Sequence, residues 1–140
     1  MYLSEHLTLQ EFEHSNTAEV SNISNYLPPD LLSNATYTGH YLFEPIRELL
    51  GVPLDISSGY RCPELNKLVR GVETSQHVQA QAIDFIPRGI NILSAFQKIC
   101  DSDLKWDQLI LEHDKDGHTW IHASIKHENN RHQIIGNLLK

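Results

Sequence analysis

Cysteine is scarce in this sequence, which limits how the protein can be stabilised or bind metal. The 140 residues include only two cysteines, Cys62 and Cys100, which lie far apart. Neither has the spacing of a metal ligand, so a zinc site built from cysteines is excluded. An isolated pair of this kind also favours reduced thiols over a structural disulfide.

Positive charge and long apolar runs are scarce as well. The 11 Lys and Arg residues are outnumbered by 18 Asp and Glu residues, which gives a formal net charge of −7. This balance argues against binding nucleic acid through its phosphates. No apolar stretch approaches the length of a membrane span, and residues 1–6 lack the features of a secretory signal. We therefore expect no membrane insertion, synthesis in the cytoplasm and, by default, a monomer.

The length and the order of the predicted elements favour a single α+β domain covering residues 1–140. Apolar periodicity and capping residues define these elements. The predicted helices cover residues 9–14, 28–50, 63–69 and 91–100, and the predicted strands cover residues 53–57, 82–86, 107–112 and 119–125. Helices come first and strands are interspersed later, so we expect a small antiparallel sheet covered on one side by helices.

Three segments of this scheme are less regular. Residues 15–27 are polar, and we predict a loop there with at most a turn. Pro45 lies inside the longest helix, so a kink or break is expected near residues 41–44. After a polar stretch, Ile134 and Ile135 are predicted to add an edge strand or to pack on the core.

Three side chains that can bind metal lie on or near two of the predicted strands. Asp84 and His122 alternate with apolar neighbours, so both project from the polar face of the sheet. His77 lies in the loop before the first of these strands. Two imidazoles and one carboxylate leave a position on zinc free, as catalytic zinc sites do. The set predicts a zinc hydrolase; the alternative is an ordinary surface carboxylate with two ordinary histidines.

The motifs in order along the chain are Ser57-Ser58-Gly59-Tyr60-Arg61-Cys62-Pro63-Glu64-Leu65-Asn66, then Ser75-Gln76-His77 with Asp84-Phe85, and finally Trp120-Ile121-His122. Together they resemble the zinc D-Ala-D-Ala carboxypeptidase family, which includes L-alanyl-D-glutamate endopeptidases of phage lysins. That family shares its fold with the hedgehog signalling domain. The resemblance covers about residues 3–135. The first residues of this range also resemble the start of the small single-domain members of the family. It implies the hedgehog/DD-peptidase fold, one zinc ion and a peptidoglycan stem peptide as substrate.

The resemblance also implies roles for individual residues. The zinc ligands would be His77, Asp84 and His122. Arg61 corresponds to the arginine that holds a substrate carboxylate in the family. The chemistry agrees with this role, since a guanidinium group binds a carboxylate through two parallel hydrogen bonds. The alternative for Arg61 is a surface salt bridge. Ser58 is placed to donate to the same carboxylate, and Trp120 is assigned to the substrate site as a side chain that packs beside the metal.

The general base is one point at which the sequence departs from the family. Many relatives have Glu or Asp three residues before the last histidine, where this chain has Thr119. Glu112 is the first candidate: if it pairs with His118 across a hairpin, it shares a face with His122, whereas a one-residue shift would turn it away. His118 is the second, as base or as donor to a developing oxyanion. Asp116, a turn residue, is the third.

A second departure is Ala80, which stands where relatives often have glycine. Alanine tolerates a positive φ less well than glycine, so we expect a local difference in the loop that carries His77. These departures leave several functions open: a stem-peptide peptidase, a zinc-containing cell-wall-binding domain without turnover, and a virion component. A peptidase without a secretory signal would reach the cell wall after release through a holin or by another route of export.

Overall fold

The structure is a computed structural model that describes residues 1–136. The helices are α1 (Leu9–Glu13), α2 (Asn16–Val20), α3 (Leu32–Thr38), α4 (Glu44–Leu50), α5 (Pro63–Leu68) and α6 (Ile92–Cys100). The strands are β1 (Tyr2–Ser4), β2 (Leu7–Thr8), β3 (Leu54–Ser58), β4 (Ala82–Pro87), β5 (Gln108–His113), β6 (Thr119–Ser124) and β7 (Gln133–Ile135). The predicted α+β class is confirmed, and both cysteines are free thiols.

The larger sheet has five strands in the order β3-β4-β6-β5-β7, and β1 pairs with β2 in a separate antiparallel ribbon. The pairs β3–β4, β4–β6 and β6–β5 are antiparallel, whereas β7 runs parallel to β5. The sheet is therefore mixed, and the expected edge strand at the C-terminal end is present with a parallel orientation. Strand β6 makes the return that a parallel pair requires, and residues 125–132 carry the chain from the end of β6 past β5 to β7.

The alternation predicted for the two central strands is confirmed. Ile83 and Phe85 on β4, and Ile121 and Ala123 on β6, are fully buried on one face of the sheet. Helix α6 packs on β4 and β6 from this side, and its Phe96 is also fully buried. Burial of a large apolar side chain contributes roughly 1.5–3 kcal/mol, so this face fixes the strand register and thereby the positions of the polar residues on the opposite face.

The long predicted helix is present in segments. A single 3₁₀ turn at Pro29–Leu31 leads into α3, and a π-helix at Gly39–Phe43 joins α3 to α4. Pro45 explains the wider turn, because a proline ring clashes with the carbonyl four residues before it and donates no hydrogen bond. Gly51 ends α4 in the left-handed conformation with φ 70°, as its position predicted.

The polar segment 15–27 contains a helix that the sequence prediction missed. Ser15 caps α2, because its hydroxyl accepts a hydrogen bond of 3.1 Å from the Ala18 backbone N–H. Ala18 is buried and anchors this short helix to the core. The capping box that predicted α1 is confirmed, with reciprocal bonds between Thr8 and Glu11. The prediction failed at α2 because one buried alanine gives almost no apolar periodicity.

The chain that leads into β7 is held to β5 by a buried carboxylate. Asp107 accepts hydrogen bonds from the backbone N–H of Arg131 at 2.8 Å and from its guanidinium at 2.6 and 3.1 Å. The Lys126 ammonium lies 3.7 Å from the same carboxylate. Burial alone would raise the pKa of Asp107, but the hydrogen bonds from Arg131 outweigh it and lower the pKa to about 2.

We expect Asp107→Asn to destabilise the fold at pH 7 by about 2 kcal/mol, because a buried hydrogen-bonded ion pair loses its charge. The Asp107 contribution is complete above the ordinary carboxyl pKa and is lost as the pH falls through about 2. Urea unfolding at pH 7 and pH 2.5 should therefore show a smaller difference between variant and wild type in acid. The control is Asp55→Asn, which breaks an exposed pair with Arg88; equal effects of both substitutions would contradict the prediction.

Candidate metal centre

The sheet register brings two of the predicted ligands side by side. Asp84 on β4 and His122 on β6 are directly paired residues in neighbouring antiparallel strands. Their side chains project from the face opposite the core, and His122 Nδ1 lies 2.9 Å from Asp84 Oδ1. The backbone hydrogen bonds of the sheet hold this pair in place without any contribution from a ligand.

His77 reaches the same carboxylate from the preceding loop. It is 1% exposed, and its Nδ1 lies 2.7 Å from the Gly59 carbonyl oxygen. A carbonyl only accepts hydrogen bonds, so Nδ1 carries the proton and donates it. In the neutral imidazole, Nε2 then presents its lone pair to Asp84 Oδ1 at 3.2 Å. Contacts of this kind orient metal-binding histidines in proteins.

The loop that carries His77 depends on Ala80. Ala80 has φ 58°, in the left-handed region that the expected glycine would adopt at less cost. Its side chain is fully buried, and its carbonyl accepts a 2.8 Å hydrogen bond from the Thr38 hydroxyl on α3. Surrounding packing thus holds the alanine in a conformation of higher energy, and the loop still delivers His77 to the site.

The three side chains form a compact donor set. The candidate ligand atoms of His77, Asp84 and His122 all lie within 4.8 Å of one another. The two imidazole rings are packed edge to face, with their centroids 5.1 Å apart. Burial lowers the pKa of His77 below its ordinary value, although Asp84 acts in the opposite direction. Burial also opposes ionisation of Asp84, but His77 and His122 outweigh it and hold the pKa of this carboxyl below its usual range.

A groove of about 700 Å³ opens onto Asp84. The predicted residues that line it are Ser58, Arg61, Asp84, Glu112 and Trp120. The structure thus brings the expected carboxylate-binding residue, one metal ligand and the first candidate base to one opening. The indole Nε1 of Trp120 is buried and has no hydrogen-bond partner among the described residues.

Arg61 enters the groove from the segment between β3 and α5. Its backbone N–H donates to the His77 carbonyl at 3.1 Å, and its Nη1 donates to the Asn66 Oδ1 at 3.3 Å. Its Nε is buried and has no partner within residues 1–136. Burial lowers the pKa of Arg61, and the charges of Asp84 and Glu112 oppose that shift, so the guanidinium remains a cation.

Asn66 has a structural role in this arrangement. Its side chain is buried, and its Nδ2 donates to the Val72 carbonyl at 2.9 Å while its Oδ1 accepts from Arg61. Asn66 thus stabilises the turn that follows α5.

Glu112 shares a face with the predicted ligands, although its pairing differs from the expected one. It pairs with Trp120 rather than with His118; a shift of two residues keeps side chains on the same face, so its orientation is unchanged. Glu112 Oε1 lies 3.8 Å from His122 Nδ1. Burial and the nearby Asp84 carboxylate raise the pKa of Glu112, while His122 and Arg61 act against the shift.

The other two candidate bases lie on the turn between β5 and β6. The His118 imidazole is 75% exposed and its Nδ1 lies 2.8 Å from Asp114 Oδ2. Asp116 is exposed and its backbone N–H donates to Asp114 Oδ1 at 2.9 Å. Neither His118 nor Asp116 is among the described residues that line the groove, whereas Asp114 is. Thr119, at the usual acid position, contacts His113 Nδ1 at 3.0 Å through its hydroxyl.

Comparison with known protein families shows which family the chain belongs to. The model of the family described as peptidase M15 matches residues 5–124. The chain belongs to the peptidase M15 family. This result confirms the resemblance inferred from the motifs, and the matched range includes every predicted site residue. A search of curated proteins finds no match to the chain.

The donor set of this M15 chain fits the zinc ion on which peptidases of the family depend. With Nδ1 of His77 protonated, a lone pair and a carboxylate oxygen face each other at 3.2 Å, an arrangement that a cation stabilises. Burial lowers the pKa of His77 and so favours the neutral imidazole that binds metal. Two nitrogen ligands and one carboxylate match the ligand classes of catalytic zinc.

Sequence reasoning missed several residues of the M15 groove. These are Ser15 and Thr17 at the start of α2, Arg70 and Gly71 after α5, and Asp114 on the β5–β6 turn. Gly71 had a detectable signal, because a glycine just past the end of a predicted helix, here two residues after residue 69, indicates where the helix stops. The others carry no signal in a single sequence. Within residues 1–136, no helix combines the length and the apolar character that crossing a membrane requires.

Proposed function

We propose that this M15 peptidase hydrolyses peptide bonds in peptidoglycan stem peptides, either D-Ala-D-Ala or L-Ala-D-Glu. One observation carries the proposal: Arg61 lines the groove that opens onto Asp84, and its guanidinium has a buried Nε without a hydrogen-bond partner among residues 1–136. A desolvated guanidinium of this kind requires an anionic or strongly accepting partner. Stem peptides offer free carboxylates close to both bonds, so the substrate can supply that partner.

The residues of the chain divide the chemistry among them. When bound, zinc acts as a Lewis acid that polarises a peptide carbonyl and lowers the pKa of water to about 7. Arg61 binds a substrate carboxylate and so places the scissile bond beside Asp84, which reduces the entropic cost of reaction. Glu112 takes a proton from the attacking water and returns it to the leaving amine. Ser58 and Trp120 line the same groove, and the Ser58 hydroxyl can donate to the same substrate carboxylate.

Geometry supports Glu112 rather than His118 as the proton acceptor. Glu112 lines the groove and lies 3.8 Å from a predicted ligand. The raised pKa of its carboxyl increases its basicity, which favours proton transfer from water. His118 is mostly exposed and turned toward Asp114, so it would have to change its rotamer to act on a substrate.

Thr119 favours a second candidate function. Its hydroxyl occupies the usual acid position and contacts His113, so the customary base is absent there. If Glu112 does not replace that base, the domain would bind zinc and the cell wall without turnover, for example as a virion component.

Under the first proposal, a monomeric peptidase made in the cytoplasm acts on the wall after release through a holin or by another export route.

Mass spectrometry of purified peptidoglycan fragments tests the proposal. We expect zinc-dependent cleavage that stops in chelator and returns on addition of zinc. Loss of one terminal alanine would identify a D,D-carboxypeptidase, and separation between L-Ala and D-Glu would identify an endopeptidase. Bound zinc with no cleavage of any fragment would contradict the peptidase function and support the binding domain.

A further inference from the structure

A second arginine lies in the groove that contains Arg61. Arg70 follows α5, is exposed, and lines the groove together with Arg61 and Glu112. No ion pair joins it to any acidic residue within residues 1–136. A cation that faces a substrate groove without a partner is available to an anion of the substrate.

The backbone of Arg70 adopts a conformation that most side chains avoid. Its φ is 62°, in the left-handed region that is unfavourable for a residue with a Cβ. The Arg70 N–H donates to the Lys67 carbonyl at 3.1 Å, and the Gly71 N–H donates to the Asn66 carbonyl at 2.8 Å. These bonds end α5.

The positions of the two arginines are linked through Asn66. One end of its amide accepts from Arg61 Nη1, and the other donates to the Val72 carbonyl, two residues after Arg70. Gly71 completes the contact: a Cβ there would lie 2.1 Å from Asn66 Oδ1 and 3.0 Å from Arg61 Nη1. Any larger residue at position 71 would therefore push the amide and the guanidinium away. One buried amide thus connects the Arg61 guanidinium to the backbone that follows Arg70.

We propose that Arg70 binds a second carboxylate of the substrate, so that the groove favours peptides with two carboxylates. This inference rests on the proposed function and specifies its substrate class. Arg61 takes one carboxylate in a desolvated position, and Arg70 takes the other at the more exposed part of the groove. Two anchors would also define the direction in which a peptide lies across Asp84 and Glu112.

The acidic residues of the groove make this selection directional. Asp84, Glu112 and Asp114 line it together with the two arginines. A substrate carboxylate beside any of these would be repelled, whereas beside Arg70 it gains attraction. The interaction with Arg70 is exposed, so salt should weaken it more than the buried interaction with Arg61.

The test compares two synthetic peptides that differ in one carboxylate. The first is L-Ala-γ-D-Glu-L-Lys-D-Ala-D-Ala, and the second has the D-Glu α-carboxylate converted into a carboxamide. For the wild type we expect kcat/KM about tenfold higher on the acid than on the amide, the size of one charge-assisted contact. Arg70→Gln should abolish this preference through KM.

Matched variants distinguish a substrate contact from a general charge effect. Lys98→Gln removes one positive charge from an exposed position on α6 outside the groove, so it should keep the full preference. Arg70→Lys should keep part of it, because the charge remains but the planar fork is lost. For the wild type, the preference should shrink in 0.5 M salt. Retention of the full preference in Arg70→Gln would overturn the inference.

Calorimetric titration of both peptides in the Glu112→Gln background separates this inference from the proposed function. We expect the acid peptide to bind about tenfold more tightly than the amide, and Arg70→Gln in that background to remove the difference. Selective binding without turnover by the wild type would refute the peptidase function but keep Arg70 as a carboxylate contact. Equal binding of the two peptides, or binding of neither, would refute the role of Arg70.

Discussion

Asp84→Asn is expected to abolish both zinc binding and peptidase activity while leaving the fold intact. Asp84 Oδ1 is the atom that both histidines approach, at 3.2 Å from His77 Nε2 and 2.9 Å from His122 Nδ1. The amide has nearly the same shape as the carboxylate but no negative charge, so the donor set loses the group that attracts a dication. Changes to residues that merely support a ligand reduce metal affinity about 10–100-fold, and we expect a larger loss here.

Zinc content after dialysis and the zinc dependence of thermal unfolding provide the measurements. Zinc binds the native wild type and should raise its midpoint of unfolding, whereas Asp84→Asn should show no zinc-dependent shift. Asp55→Asn is the matched control, since it changes an exposed carboxylate on β3 that pairs with Arg88. Full activity of Asp84→Asn without bound zinc would show that this cluster is not the metal centre.

The part of the site that lies on the sheet could be predicted from sequence because strand geometry repeats every two residues. Apolar Ile83 and Phe85 face the core, so Asp84 must face the other side, and the same reasoning places His122. The prediction for Glu112 held its face although its pairing was wrong, since a shift of two residues preserves orientation. Strand periodicity gives the face of a residue, whereas the exact partner depends on the turn.

The rest of the site depends on contacts that periodicity does not encode. His77 is aligned by a carbonyl at Gly59, 18 residues earlier, and by a left-handed Ala80. Arg70 enters the groove because Asn66 and Gly71 fix the end of α5. Each of these is a single long-range or conformational event, and a single sequence contains no repeated signal from which to predict it.

The parallel β7 is a similar case. Ile134 and Ile135 suggested a strand, but its direction is set by Asp107, whose buried carboxylate binds the chain at Arg131. One carboxylate followed by an arginine 24 residues later has no recognisable pattern. The polar face of this domain is therefore organised by a few buried hydrogen-bonded side chains, and those that align the metal centre are distinct from those that hold the C-terminal strand.

Glu112→Gln is expected to retain zinc and to lose turnover by about 10²–10⁴-fold, the usual contribution of a positioned general base. Glu112 lies 3.8 Å from His122 Nδ1 and lines the groove beside Trp120, but it is not a member of the His77-Asp84-His122 donor set. The amide keeps the size and the polar contacts of the side chain and removes only its capacity to accept a proton. KM should change little, because Arg61 still binds the substrate carboxylate.

His118→Gln is the matched comparison, since it removes the second candidate base, which lies on the turn of the same hairpin. We expect less than a threefold loss of kcat, because His118 is mostly exposed and its imidazole is engaged with Asp114. Stem-peptide turnover measured at equal zinc occupancy decides between the two. Full activity of Glu112→Gln together with an inactive His118→Gln would move the base to the β5–β6 turn, and the turn would then have to rotate toward the groove on substrate binding. If both variants retain full turnover, neither residue is the base. The acid that relatives have at the position of Thr119 would then be replaced by another group of the groove. Among the described residues that line it, Asp114 is the carboxylate left after Glu112 and the ligand Asp84.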